Sequence, residues 1–180
     1  MAKNDSGKKA VLEVLNKARA SEIAAILQYM SQHYALDDAD YGQVAANVKL
    51  IAIDEMRHAE MLAERLHELG GTPTSEPDMK AKKGQKIGEA MAQDVGLEET
   101  AIADYNAFAE VCRQNNDRIS QKLCEQIMEE EQIHLNYFQN VRDHIKDLGN
   151  AYLAQITGGP ADAGAPAAGF VANQAKAGPA

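Results

Sequence analysis

Ile53-Asp54-Glu55-Met56-Arg57-His58-Ala59-Glu60 is the stretch on which the reading of the chain turns. It lies in a run of good helix formers, and a separation of three residues puts Glu55 and His58 on one helix face. There a carboxylate oxygen and an imidazole nitrogen can reach the same metal ion. A single Glu-x-x-His is also what a solvated surface pair looks like. A second one, Glu131-Gln132-Ile133-His134, stands in another helical run. Two such pairs, joined by one Glu from each of two further helices, make the ligand set of a two-metal bundle site.

The two further glutamates follow from geometry. In antiparallel helices joined by a short loop, residues at equal depth lie equally far before and after that loop. Reflecting Glu55 through Asp38-Ala39 gives Glu22, and reflecting Glu131 through Arg113-Gln114-Asn115-Asn116-Asp117 gives Glu98. The step from Glu22 to Glu55 equals that from Glu98 to Glu131, and Tyr29 and Tyr105 each follow their Glu by seven residues. The halves thus read as an internal repeat of helix pairs. Two roles stay open for the tyrosines: ordinary core aromatics, or hydroxyls that orient the carboxylates.

Composition agrees with an all-α domain. The 180 residues hold 45% apolar side chains, enough for one full core, and only 5% aromatics. The net charge of −9 argues against a nucleic-acid partner and suits the attraction of cations. No long apolar run or signal-like start is present, which points to a cytoplasmic protein without membrane contact. Cys112 and Cys124 form no Cys-x-x-Cys pair and read as reduced, structural thiols.

Residues 1–7 are polar and expected to be loose, with Ser6 as a helix N-cap. Helices are predicted over 8–33, 41–69, 87–115 and 117–148, with a short fifth at 150–156. The acidic loop at Asp37, Asp38 and Asp40 is expected to cap the second. Gly70-Gly71 and Gly149 act as stops. Residues 71–86, with Pro73, Pro77 and four solvated lysines, form a linker long enough to run back along a bundle. It would set the third helix parallel to the second: a ferritin-like four-helix bundle with one long crossover. The chain divides into a helical domain, 1–156, and a Gly/Pro/Ala-rich tail, 157–180. The tail is too poor in apolar groups to order itself. Phe170-Val171 is its natural anchor, and contact with a neighbouring subunit is expected to order it.

Charge balance favours metal. Four carboxylates facing one another inside a bundle, with no Lys or Arg beside them, are prohibitively costly if ionised and unpaired. Two divalent cations cancel them. Oxygen donors with His58 and His134, and no thiolate, suit iron or manganese and not a structural zinc.

The quoted stretch, the segment from Glu22 to Tyr29, Leu97-Glu98, Glu131-x-x-His134 and Asn150-Ala151-Tyr152-Leu153-Ala154-Gln155-Ile156 together resemble bacterioferritin, the haem-containing ferritin. The resemblance implies Glu22 and His58 on one iron, Glu98 and His134 on the other, with Glu55 and Glu131 bridging. It implies a ferroxidase that oxidises Fe(II) with O2 or H2O2 and stores ferric mineral in a hollow shell of 24 subunits built from dimers. On a helix Met56 follows Glu55 by about 100° and faces sideways. Spacing alone reads it as apolar filler at a subunit contact. The resemblance makes it the axial ligand of a haem or related iron porphyrin on a two-fold axis, one per dimer, fed by an electron-donor protein. One departure stands out: some members pair the Asp of the motif with a His four residues earlier, and here that position is Leu50. An auxiliary inner-surface iron site at Asp54 is therefore not expected. Two other functions are kept in view, a rubrerythrin-like di-iron peroxidase, whose usual Cys-x-x-Cys iron domain is missing here, and a non-catalytic helical scaffold.

Overall fold

A computed structural model describes residues 2–159 and 169–177. Four long helices, α1 (Ala2–Asp38), α2 (Gly42–Glu68), α3 (Ile87–Gln114) and α4 (Arg118–Leu148), are followed by α5 (Asn150–Ile156) and α6 (Phe170–Ala177). Among the described residues there is no strand, only an isolated bridge between Tyr41 and Gly159. α1 packs along α2 and α3 along α4, and residues 69–86 cross over between the pairs, as the linker composition predicted.

The helix ends differ from expectation where local signals misled. α1 begins at Ala2, so Ser6 lies within it and is no N-cap, and 2–7 are helical. α1 also runs on to Asp38, absorbing Asp37 and leaving Asp40 at φ 66° to turn the chain. Tyr41 then occupies the N-cap of α2 without a side-chain bond, so the acidic loop does not cap that helix. At α4 an acid does cap the helix: the Asp117 carboxylate accepts the Ser120 N–H at 3.0 Å. Gly70 (φ 69°) and Gly149 (φ 53°) end α2 and α4 in left-handed conformations that suit glycine.

Two apolar clusters fill the bundle. One holds Tyr29, Ile51, Met91 and Phe138, the other Leu15, Leu62, Leu66, Cys112, Cys124 and Ile127. In every long helix the acids and histidines singled out above fall between the two, so the polar layer crosses the middle of the bundle with dry packing on either side.

Polar side chains of α1 fasten the crossover to the bundle. Asn16 donates to Thr72 O at 3.2 Å and accepts the Thr74 N–H at 2.7 Å. Gln28, fully buried, does the same to Lys82, donating to its carbonyl at 3.1 Å and accepting its N–H at 2.7 Å. Such two-way bonds satisfy backbone groups that would otherwise be lost to water. The crossover lysines Lys80, Lys82, Lys83 and Lys86 are exposed, as expected of a solvated run.

Of the Gly/Pro/Ala tail, residues 160–168 and 178–180 lie outside the described residues. What is described is a helix where composition gave none. α6 rests on α2 and α4 of its own chain, with Phe170 only 3% exposed and its ring 5.0 Å from that of Tyr137. The expected anchor is thus used within the chain.

Candidate metal centre

Glu22 and Glu98 come from α1 and α3, Glu55 and His58 from α2, Glu131 and His134 from α4, and all six are buried. Their donor atoms form two overlapping groups: Glu22, Glu55, His58 and Glu131, and Glu55, Glu98, Glu131 and His134, each with its atoms within 4.8 Å of one another. Glu55 and Glu131 belong to both. The imidazole rings face each other at 6.0 Å.

Each histidine turns Nδ1 towards the carboxylates and Nε2 away from them. His58 Nδ1 lies 2.9 Å from Glu55 and 3.1 Å from Glu131, and His134 Nδ1 lies 3.1 Å from Glu131 and 3.3 Å from Glu55. Behind them, His58 Nε2 meets Glu130 at 3.2 Å, and His134 Nε2 faces Asp54 at 3.5 Å, too far for a good hydrogen bond. At His58 the carboxylate on the far nitrogen fixes the tautomer that leaves Nδ1 free to bind a metal, whereas the buried His134 Nε2 faces Asp54 without a hydrogen bond. Sequence reasoning missed Glu130 and considered Asp54 only for an inner-surface site. The signal was present: an acid immediately precedes Glu55 and Glu131 alike.

The tyrosines hold the outer carboxylates crosswise. Tyr29 of α1 donates to Glu98 of α3 at 2.5 Å, and Tyr105 of α3 donates to Glu22 of α1. Of the two roles left open, the orienting one is realised, though both rings are also buried in the core.

Electrostatics fit the donor set to cations. Burial, with the charges of Glu131 and Glu55, pushes Glu22 up to about 8 and raises Glu98 well above the carboxylate range. Burial would lower both histidines, but the carboxylates around them overcome it and hold them well above their ordinary range. Burial would likewise raise Glu131, and the two imidazoles overcome it and lower it. Protons therefore supply the positive charge when no metal does. Glu131 Oε1, although buried and 3.1 Å from His58 Nδ1, makes no well-aligned hydrogen bond. Two divalent cations would displace these protons and give that oxygen a partner.

One predicted residue lies apart. Met56 does not enter the centre and stands 54% exposed on α2. Leu50 is buried in the apolar core, and Asp54 is engaged by Arg57 at 3.2 Å and by the Val171 N–H at 3.0 Å. One turn before Glu98, Asp94 is fully buried: its Oδ1 accepts Gln32 Nε2 at 2.8 Å, its Oδ2 has no partner, and burial pushes it up to about 8.

A small cavity of about 130 Å³ reaches the centre from the α1/α3 side. Glu22, Tyr29, Glu55, Glu98 and Glu131 line its inner end, and the exposed Asp78, Met79 and Asp104 its outer end.

Comparison with known proteins is consistent across sequence and structure. The ferritin-like domain family matches residues 12–148. Bacterioferritin of Desulfovibrio desulfuricans is 52% identical over 172 residues, covering 95% of this chain and 96% of its own. That of Mycobacterium bovis is 30% identical over 151 residues, covering 83% and 95%. An X-ray structure of the Desulfovibrio desulfuricans bacterioferritin and its diiron site, reduced in solution and allowed to reoxidise before crystallisation, superposes with a TM-score of 0.88 at 51% identity over 90% of this chain and 95% of that one. Mycobacterium tuberculosis BfrA gives 0.78 at 30% identity over 82% and 94%.

Proposed function

The chain belongs to the ferritin-like family and, within it, to the iron-storing, ferroxidase bacterioferritins, and from this premise we propose that Fe(II) is oxidised to Fe(III) at the six-residue centre. Glu22 with His58 and Glu98 with His134 each take one iron, and Glu55 and Glu131 bridge. The observation that carries this is the pair of buried four-donor groups sharing those two glutamates.

Each part of the centre has a task. Tyr105 and Tyr29 hold Glu22 and Glu98 in place by their hydroxyls. Glu130 keeps the far nitrogen of His58 protonated, so that Nδ1 remains the donor, and the Asp54 carboxylate faces that of His134 at 3.5 Å. The cavity beside Asp78 and Asp104 supports entry of Fe(II) from the α1/α3 side, drawn by acidic groups. When bound, the iron pair supplies two electrons to one oxidant, dioxygen or hydrogen peroxide. The buried apolar clusters on either side keep bulk water from the centre.

The test is Glu22→Ala, Glu98→Ala and His134→Ala. Each is expected to slow the fast phase of iron oxidation greatly while the fold survives, since losing a carboxylate from a metal-free site relieves repulsion. Unchanged fast kinetics in all three would sink the assignment.

The remaining features extend the proposal. Twenty-four subunits, built from dimers, enclose ferric mineral. One haem or related iron porphyrin per dimer would be held by the Met56 of each of two subunits and would supply electron transfer. Met56 is exposed on α2, so its thioether is accessible to such a group. An electron-donor protein would reduce that haem to release iron. The free thiols Cys112 and Cys124 support a cytoplasmic location. Among the described residues no helix is long and apolar enough to cross a membrane. Residues 1–156 form the di-iron domain and 157–180 an appended tail.

A further inference from the structure

The centre has two flanks. On one, α1 and α3 pack closely and the crossover lies outside them. On the other, α2 and α4 touch over a shorter length, and α6 lies against them. Its contacts converge on one carboxylate. Asp54 Oδ2 accepts the Val171 N–H at 3.0 Å and faces His134 Nε2 at 3.5 Å, while Oδ1 accepts from Arg57 at 3.2 Å. The Phe170 ring stands edge-on to the His134 imidazole at 6.3 Å and beside Tyr137 at 5.0 Å. At Gly169 the backbone comes so near that a Cβ would overlap the Asp54 carboxylate and crowd the Arg57 guanidinium.

We propose that the segment Gly169–Ala177 is a strap that closes the α2/α4 flank of the di-iron centre and, through Asp54, positions His134, so that docking of the strap sets how long metal stays there. The argument rests on the di-iron reading of the six residues. Asp54 is 2% exposed with the strap in place, its two oxygens bonded to the strap and to Arg57, and its charge lies 3.5 Å from the imidazole Nε2, which has no other partner. Removing the strap frees one oxygen to water and opens the ring edge of His134. A ligand whose outer partner is loosened exchanges faster. The need for glycine at 169 and the burial of Phe170 give the strap a specific seat, where a Gly/Ala-rich tail would otherwise have little to hold it. Asp54 is a positioning residue, and Phe170 excludes water without touching metal.

The intact assembly provides the test, with Co(II) as the probe. Wild type, Gly169→Ala, Phe170→Ala, the double variant and Gln174→Ala, on the exposed side of the strap, are loaded with Co(II) and chased with excess EDTA. All five should bind two Co(II) per subunit. Release should be faster by about 10- to 100-fold in the double variant, intermediate in the single ones and unchanged in Gln174→Ala. The visible spectrum of one of the two Co(II) ions should shift, which general loosening of the fold would not single out. Wild-type release rates and an unshifted spectrum in the double variant overturn the strap. Failure of the wild type to bind two Co(II) per subunit would instead overturn the di-iron reading itself.

Discussion

Asp94→Asn should make the protein more stable, and increasingly so as pH rises. Asp94 is sealed in the bundle with one oxygen unpartnered, and burial pushes it from 3.8 to about 8. Between those values the folded chain holds a proton that the unfolded chain has released, so stability falls as pH rises through that window. From near pH 5 to near pH 8 the penalty grows by a ceiling of about 4 kcal/mol, at about 1.4 kcal/mol per pH unit. Local relaxation around the carboxylate lowers this to roughly 2 kcal/mol. Asparagine carries no such charge, and Gln32, whose Oε1 has no partner, can turn its amide to receive the new N–H. The gap in Tm between variant and wild type should therefore widen by roughly 4–8 °C from the lower to the higher pH. Scanning calorimetry at one scan rate on equally assembled samples reads this directly. A gap of the same size at both pH values would show that Asp94 is ionised in its pocket and refute the reasoning.

Three further outcomes are expected. Tyr105→Phe, which removes the hydroxyl from Glu22, should weaken metal binding by about 10- to 100-fold without changing the two-per-subunit stoichiometry; titration with Co(II) checks this, and undiminished affinity would return Tyr105 to a packing role. Gly96→Ala places a methyl group where nothing lies within 4 Å inside α3, so it should stabilise by about 1 kcal/mol, seen as a higher denaturation midpoint. Met56→Leu keeps the volume but loses the sulfur, and the assembly supplied with porphyrin should lose its bis-thioether absorbance while still oxidising Fe(II); a variant that keeps the absorbance would end the haem assignment.

Much of the architecture is legible in the chain because each helix carries its own period. The crossover shows in prolines and lysines, and the polar layer shows as Glu22 and Glu98 interrupting stripes of apolar residues. Reflection through two short loops brings forward residues that the fold assembles from four helices. What escaped lies a step outward from the centre. Glu130 and Asp54 look like surface acids beside Glu55 and Glu131, and only the rotation of the imidazoles reveals their use. Helix ends were misread where Ser6 and Asp37 carry cap-like chemistry inside a helix that simply continues. α6 was illegible because its stability comes from a seat on Asp54 and Tyr137, far away in sequence, and not from its own composition.

The near two-fold match of the halves breaks at one place, behind the histidines. Glu130, behind His58, has a side chain 25% exposed, while Asp54, behind His134, is 3% exposed and shared with the strap. Chemically alike inner ligands are thus held in one wet and one dry outer environment. Two irons bound as proposed would be inequivalent before any oxidant arrives. Mössbauer spectra of the diferrous protein would resolve them as two quadrupole doublets, and the ion beside Glu130 would exchange with solvent first.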